Sequence, residues 1–428
     1  MLLTTLVRGS VLTLLLSAVT CLPAQAEPAP RSINEIVAMA LKHSAELSAL
    51  EKEADAKQSL AVQAGTLGNP TLELQGSTGS LTGSPDERTA SIGINQELPL
   101  YGKLGLRREA AEREAEALLR QRDNAARLLR YEVATLALDY SLTAKRQELA
   151  ADLVKLNRDL LSIAGERFRA GDIPELDFNL AKVELARGES RLLEVEREVR
   201  PLRIKIASLT GLNESDVKPP DTLSTPLLSP TSVDLVKQAL ASRPDLLALA
   251  SERDKAETES RLAKAEALPD ITAGLFAQWE RGSTVAGGMT STSSDTQLGL
   301  RLSMPIPVFN RNRGGRSAAK ARLDSADSRR LALERSITAE VEGAVSRLSS
   351  SERVLALLEQ GIIPQLTENL KLTQEAYRLG EVGILSVIDE QKKFFEVSDG
   401  YLSALYSRRM ALIKLESAAA IDLNGGVQ

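Results

Sequence analysis

The sequence predicts a mainly α-helical protein with a small β portion, arranged as two copies of one structural unit. A helical pattern runs from residue 101 to residue 168 and ends at a glycine turn over residues 169–174. At 1.5 Å per residue this helix is on the order of 100 Å long, about three times the hydrocarbon thickness of a membrane. A second pattern of similar length spans residues 309–378 and also ends at a glycine turn. Because no globular core has room for such helices, we expect each long helix to pack antiparallel against two shorter helices.

The first 26 residues have the features of a secretory signal peptide. Arg8 precedes an apolar run over residues 11–19, and Ala-Gln-Ala at 24–26 forms a small-x-small cleavage site. Lipid attachment at Cys21 is the alternative to this cleavage. Since Cys21 is the only cysteine, cleavage leaves an exported chain that is held together without disulfides.

Composition and charge exclude several classes of function. The chain carries 53 basic and 58 acidic residues and is only 3% aromatic, so it offers no basic, aromatic-rich surface for nucleic acid. The only histidine is His43, and no catalytic triad, phosphate-binding loop or dinucleotide motif is present. We therefore expect no enzyme activity, no metal site and no cofactor.

The two copies match each other along most of the chain. Residues 32–41 match residues 231–240, and residues 168–171 match residues 377–380 with a longer spacing. We expect the added residues to form a longer Gly/Ser/Thr-rich hairpin loop in the second copy. The predicted order is a signal peptide 1–26; a first repeat 27–212 with an opening helix 32–66, strands 71–78 and 89–98, a long helix 101–168 and a return helix 174–212; a linker 213–230; and a second repeat 231–428 with an opening helix 231–267, strands 270–280 and 296–305, a long helix 309–378 and a return helix 384–420.

The predicted strands alternate apolar and polar residues, which gives each an apolar and a polar face. The polar face includes Glu73 and Arg301, as a water-filled lumen would. A soluble, half-buried sheet is the alternative, but no amphipathic element near the strands could cover it. No run approaches eighteen apolar residues, so a helix cannot span a membrane and only a closed β-barrel could. Four strands cannot close a barrel, whereas three chains supply twelve, and we therefore predict a homotrimer with a twelve-stranded transmembrane barrel.

The turns of the two copies resemble those of the TolC-type outer membrane efflux protein family. They read Arg-Phe-Arg-Ala-Gly-Asp-Ile-Pro-Glu-Leu-Asp at 167–177 and Tyr-Arg-Leu-Gly-Glu-Val-Gly-Ile-Leu-Ser-Val-Ile-Asp at 377–389, with Gly-Asn-Pro at 68–70 in support. The resemblance covers essentially the whole mature chain. It implies a homotrimeric channel in the outer membrane of a Gram-negative bacterium, with a long α-helical coiled-coil barrel of twelve helices that crosses the periplasm. The resemblance also implies docking to a periplasmic adaptor and an inner membrane pump.

The sequence at the start of the first long helix narrows the resemblance further. Leu-Tyr-Gly-Lys at 100–103 is similar to the family branch that pairs with heavy-metal pumps of the resistance-nodulation-division class. This similarity implies a passive conduit for heavy-metal cations, and export of drugs or type I secretion of proteins is the alternative. A trimeric coiled-coil surface protein is a more remote alternative, since its helices would not be interrupted by paired strands.

The resemblance also assigns roles to five residues. Gly171 and Gly380 correspond to the turn glycines of the periplasmic tips, which meet the adaptor. Asp177 and Tyr377 correspond to partners in contacts that hold the tip shut. Asp389 corresponds to an acid that points into the narrow inner end, where threefold symmetry would make a ring of three charges. On a long helix an isolated Asp is otherwise a solvated residue.

The predicted gate departs from the family pattern at two positions. Val382 replaces the second arginine contact, and Ser386 replaces a second acid of the inner end. We therefore expect fewer closing contacts and a thinner acidic ring than the resemblance alone implies.

Overall fold

The computed structural model describes residues 32–81, 84–220 and 232–421. The predicted signal peptide, with Cys21, lies outside them. Within the described part of the chain, no helix is long and apolar enough to cross a bilayer. The helices are α1 Ile33–His43, α2 Ala45–Ala64, α3 Lys103–Ala170, α4 Glu175–Thr210, α5 Ser232–Ser242, α6 Pro244–Ala265, α7 Arg313–Leu357, α8 Ile363–Leu379 and α9 Ile384–Ala419, and the strands are β1 Thr71–Gly79, β2 Ser84–Leu98, β3 Ile271–Ala286 and β4 Met289–Ser303.

The strands of both copies join in one antiparallel sheet of order β1-β2-β3-β4. Residues paired across the strands share a face, and one such row is Leu74, Ile92, Ala277 and Leu298. This apolar face is uncovered within the chain, and Leu298 is 84% exposed. The observed alternation therefore leaves one apolar and one mostly polar face, as the sequence predicts.

The second hairpin differs from its prediction. Residues 281–294, which we expected to form a loop, mostly continue the ladder between β3 and β4. The strands end only at Gly287 and Gly288, whose φ angles of 62° and 80° fit the two central positions of a tight two-residue turn. Glycine adopts this conformation without steric cost, so both strands extend beyond the predicted ranges 270–280 and 296–305. In the first copy, β2 likewise begins before the predicted residue 89.

Both opening helices are broken, whereas the sequence predicted one continuous helix in each copy, over 32–66 and 231–267. In the first copy the break is at Ser44, whose Oγ accepts a hydrogen bond from the backbone N–H of Leu47 at 3.3 Å and caps α2. In the second copy Pro244 is the first residue of α6, and Arg243 before it is extended. A proline disfavours the helical conformation in the residue before it, so α5 cannot run on into α6.

The second long helix, predicted over 309–378, starts later and is interrupted. It begins at Arg313 because Asn312 adopts a left-handed conformation with φ 51°. A π-helical segment at Leu358–Ile362 separates α7 from α8. Pro364 lies two residues after this segment. Since proline has no N–H and its ring crowds the carbonyl four residues earlier, it disrupts regular α-helical hydrogen bonding here. The first long helix, α3, contains no proline and is continuous.

Three buried clusters hold the helices together along their length. The middle of α3 packs against α1, α4 and α9 around Leu138 and Ile206. A second cluster joins α5, α7 and α9 around Val341 and Leu415. A third lies where α3, α4, α8 and α9 meet at their glycine turns. The helices of the two copies therefore share packing at both the middle and one end of the bundle.

The predicted linker 213–230 is not a free connection over its first residues. A short 3₁₀ turn spans Glu214–Asp216, and the Val217 side chain after it is buried in the cluster around Leu138. The Tyr140 hydroxyl donates a hydrogen bond to the Val217 carbonyl oxygen at 3.2 Å. Residues 221–230 of the linker lie outside the described residues.

Candidate functional site at the paired helical turns

The turns α3–α4 and α8–α9 have the same backbone geometry. Gly171 has φ 81° and ψ 12°, and Gly380 has φ 83° and ψ 10°. In each turn the glycine N–H and the N–H after it bond back to carbonyls of the preceding helix, at 3.1 and 2.9 Å in the first turn and at 3.0 and 2.8 Å in the second. This double hydrogen bond is the Schellman ending, which requires a left-handed residue and favours glycine.

Tyr377 lies at the centre of the apolar cluster beneath these turns. Its side chain is 1% exposed and packs with residues of all four helices that meet there, including Leu160, Ala181 and Ile388. On the outer side of the cluster the rings of Phe168 and Phe178 stack at 5.4 Å between centroids. The two turns therefore form one packed unit, which is called the tip below.

Arg167 connects the two turns, although the sequence analysis gave it no role. Its Nη1 donates a hydrogen bond to the backbone carbonyl of Tyr377 at 2.9 Å. Its guanidinium also lies over the Tyr377 ring, with 5.0 Å from Cζ to the ring centroid. Burial raises the pKa of Tyr377, the Arg167 charge opposes this shift, and the Asp177 charge adds to it. The first copy thus fastens the helix end of the second copy by a charge-assisted hydrogen bond and a cation–π contact.

The structure brings only some of the predicted tip and gate residues together. Gly171, Gly380 and Tyr377 meet at the tip. Asp177 is half-buried in the first turn of α4, and the buried Tyr377 hydroxyl forms no hydrogen bond with it or with any other described residue. The predicted contact between Asp177 and Tyr377 is therefore not formed within one chain, and across chains it stays a prediction.

Asp389 lies apart from the tip cluster on an exposed stripe of α9. Ser386, one turn earlier, and Lys392 and Lys393, one turn later, are exposed as well. Lys392 extends towards Glu184 of α4 at 3.4 Å, and Lys393 towards Glu390 at 3.6 Å. Asp389 is therefore solvated in the single chain and has basic neighbours on its own helix face. Among the described residues there is no group of three or more His, Cys, Asp or Glu side chains that could hold a metal ion.

Comparison with known proteins gives a family for this arrangement. A family model described as outer membrane efflux protein matches residues 36–212 and 235–420. The cobalt-zinc-cadmium resistance protein CzcC of Cupriavidus metallidurans is 25% identical over 378 residues, which cover 88% of this chain and 87% of that protein. The pyoverdine export outer membrane protein OpmQ of Pseudomonas putida is 26% identical over 362 residues, or 81% of this chain and 74% of that protein.

Solved structures agree on the fold. The structure of CusC superposes with a TM-score of 0.74 at 17% identity, covering 91% of this chain and 92% of that chain. The open state of the MtrE outer membrane channel of Neisseria gonorrhoeae superposes with a TM-score of 0.71 at 20% identity, covering 93% and 91%. These likenesses confirm the predicted fold class of long helices with a four-stranded contribution to a β-barrel. The chain belongs to the outer membrane efflux protein family, whose members are outer membrane channels that extend into the periplasm.

Proposed function

We propose that this chain is the outer membrane conduit of a tripartite efflux system that exports heavy-metal cations. The assignment of heavy-metal cations as the cargo is based on the match with a cobalt-zinc-cadmium resistance protein over nearly the full length of both chains. In this system an inner membrane pump of the resistance-nodulation-division class supplies the energy and a periplasmic adaptor joins the pump to the channel. The channel itself is passive.

The sheet supports a homotrimeric channel. Within one chain β1 and β4 are edge strands, each with one side unpaired. Unpaired backbone groups are very costly in lipid, and the exposed apolar face of the sheet suits contact with lipid. Three chains pair β1 of one with β4 of the next and close a twelve-stranded barrel, which leaves no free edge.

The tip supports docking to the adaptor. Exposed leucines surround the two turns, and Leu176, Leu379 and Leu385 are 67%, 73% and 61% exposed. Exposed apolar side chains next to rigid turns are typical of a surface that binds a partner protein. We place the adaptor contact at Gly171 and Gly380, where the backbone of the turn is accessible.

The main alternative is export of a siderophore or a drug. The pyoverdine export outer membrane protein OpmQ of Pseudomonas putida matches at a similar level of identity. The cargo of a passive conduit depends on its pump and adaptor, so this chain's own residues discriminate weakly between these cargoes.

A deletion strain tests the cargo. Removal of the gene should increase sensitivity to cobalt, zinc and cadmium salts, and a plasmid copy should restore resistance. Sensitivity to drugs and the amount of secreted siderophore are measured in the same strains. Unchanged metal tolerance together with loss of siderophore export or of drug resistance would favour the alternative and reject the metal assignment.

We also propose that Asp389 contributes a ring of three negative charges at the periplasmic end of the trimer. Such a ring raises the local cation concentration and repels anions. Asp389→Asn should lower the cation-to-anion permeability ratio in planar bilayers. Glu396→Gln removes one charge from the same exposed stripe two turns away and serves as the control. Equal ratios in the parent and the Asn variant at all ionic strengths would leave Asp389 as an ordinary solvated residue.

A further inference from the structure

The polar face of the sheet carries an ion pair that reaches from its first strand to its last. Arg301 of β4 donates a hydrogen bond from Nη1 to Glu73 Oε2 of β1 at 2.8 Å. Side chains stand roughly perpendicular to a flat sheet, and neighbouring strands are about 4.8 Å apart. A contact across three such spacings therefore requires both side chains to lie over a face that curves towards them.

Glycines make room for this arrangement. Arg301 and Asn95 lie in one row of the sheet with Gly274 between them, and Phe276 lies in the next row with Gly299 beside it. A Cβ on Gly274 would collide with the Asn95 side chain. A Cβ on Gly299 would collide with the Phe276 ring. The large side chains thus lie over glycines and can extend across the face.

Hydrogen-bond donors occupy both oxygens of the Glu73 carboxylate. Glu73 Oε2 accepts hydrogen bonds from Arg301 and from Asn95 Nδ2, the latter at 2.9 Å, and Oε1 accepts one from Gln75 Nε2 at 3.0 Å. The guanidinium of Arg301 also lies over the Phe276 ring at 5.3 Å, and its side chain is 47% exposed. Both carboxylate oxygens are therefore occupied by donors, whereas part of the guanidinium faces solvent.

We propose that Glu73 and Arg301 form a selectivity ring inside the barrel, with Arg301 keeping the carboxylates of Glu73 away from passing cations. The inference rests on the proposed trimeric channel, in which the polar face lines the lumen and threefold symmetry repeats the pair three times. Arg301 is the basic residue of this face among the described strand residues. A free carboxylate ring would attract and retain divalent cations electrostatically, because three negative charges converge in the lumen. With the pair intact, a hydrated divalent cation passes the ring without being held.

Single-channel recording of the purified trimer tests the ring. Arg301→Gln uncovers three carboxylates, so it should shift the reversal potential in a salt gradient towards cations. It should also make the conductance sensitive to block by cadmium ions at a concentration about tenfold lower than the parent requires. Glu73→Gln leaves three unpaired guanidinium groups and should shift the reversal potential towards anions without cadmium block. The double variant should return close to the parent.

Arg281→Gln is the matched control. Arg281 lies on β3 and belongs to the opposite, apolar face of the same sheet. Arg281→Gln therefore removes the same charge as Arg301→Gln but leaves the polar face unchanged. Parent-like reversal potentials and cadmium responses in both single variants, or shifts of the same sign, would overturn the ring. If only one of the two single variants inserts into the bilayer, the direction of its reversal-potential shift still tests the proposal. If the parent protein forms no conducting trimer, the result rejects the proposed trimeric channel itself, on which the ring depends.

Discussion

The two copies break their opening helices at the same place by different means. In the first copy, Ser44 caps α2 with its hydroxyl. In the second, Arg243 occupies that place, is 3% exposed, and bonds to Asp245 at 2.6 Å, to Glu340 at 2.6 Å and to the Ala418 carbonyl at 3.2 Å. The same backbone break is a local cap in one copy and lies at a buried arginine with two acidic partners in the other. A duplicated backbone thus does not imply duplicated energetics.

The copies also differ in the long helices and at the tip. The first supplies the continuous α3, while the second is interrupted by the π segment before Pro364. The fastening between the turns is one-sided, since Arg167 of the first copy reaches Tyr377 of the second, and Ala376 stands at the corresponding place in the second turn. The first copy therefore supplies the uninterrupted helix and the arginine that joins the turns, and the second copy carries the irregular helix geometry.

The largest expected difference between the copies is at the helix breaks. Arg243→Met removes the hydrogen bonds of a buried arginine to Asp245 and Glu340 but leaves Arg127 3.6 Å from Asp245, so it should cost about 2 to 3 kcal/mol of unfolding free energy, whereas Ser44→Ala should cost about 1 kcal/mol. Thermal unfolding of the detergent-solubilised protein, followed by helical circular dichroism, measures both. Equal losses in the two variants would contradict the proposed difference.

The same comparison predicts a dependence on pH. Burial opposes ionisation of Asp245, but the hydrogen bond and charge of Arg243, with the charge of Arg127, outweigh it and hold the pKa of Asp245 below its ordinary value of 3.8. The stability contributed by this carboxylate is present above pH 3.8 and is lost as the pH falls through its lowered pKa. The extra cost of Arg243→Met should therefore shrink in strong acid, and a constant difference down to full acid unfolding would argue against it.

The second effect concerns the turn glycines, which share one backbone conformation in different surroundings. Any residue with a Cβ costs about 1 to 2 kcal/mol in the left-handed region. A Cβ at Gly380 would also lie 3.3 Å from Arg167 Nη2, while a Cβ at Gly171 would meet nothing within 4 Å. Gly380→Val should therefore reduce melting temperature and export more than Gly171→Val, with the trimer and barrel intact on native gels. Full resistance in both variants would reject a role for the tip in export.

The third effect tests the one-sided fastening. Arg167→Ala removes a charge-assisted hydrogen bond and a cation–π contact, and should destabilise the end of α8 by about 2 kcal/mol. Hydrogen exchange should become faster at the amides of residues 376–381 while remaining unchanged in the middle of α3. Arg169→Ala is the control, because Arg169 is exposed and donates a hydrogen bond to a carbonyl of its own helix, that of Gly165, instead of to the second turn. Equal exchange in both variants would show that Arg167 does not fasten the turns.

The smallest effect is the gain expected from Ala420→Gly at the end of the second return helix. Gly211 and Ala420 both have positive φ angles, 74° and 52°. Ala420→Gly should relieve strain and stabilise the second copy by about 1 kcal/mol. The reciprocal Gly211→Ala should destabilise the first copy, since its Cβ would lie 2.8 Å from the His43 ring. A lower melting temperature for Ala420→Gly would mean that packing of the alanine methyl outweighs the strain.

Much of the architecture follows from local patterns in the sequence. The spacing of apolar residues and of glycines within a short stretch of sequence predicts the long helices, the glycine turns and the alternating strands. The interruptions are harder, because Ser44, Arg243 and Pro364 carry signals that a strong helical pattern on both sides conceals. The capping preference of serine and the effect of proline on its neighbours apply at these positions. The prediction of continuous helices did not take them into account.

The site residues divide in the same way. Gly171 and Gly380 could be identified because a left-handed helix ending favours glycine whatever surrounds it. Arg167 could not, because its partner is the backbone of Tyr377 in the other copy, and an arginine in a helix gives no sign of the carbonyl it will meet. The partners of Arg301 and Arg243 likewise lie far along the chain.

The sequence by itself determined the duplicated helix and strand order, the turns and the membership in an outer membrane efflux family. These depend on residue periodicity and on backbone preferences, which act over a few neighbouring residues. Only the tertiary structure decided which charges are paired: Arg167 with the second turn, Arg243 with the α6–α7 network, and Arg301 with Glu73 across four strands. Electrostatic and packing energies depend on distance in space, so the pairing of remote residues becomes defined only when the helices and strands are in place.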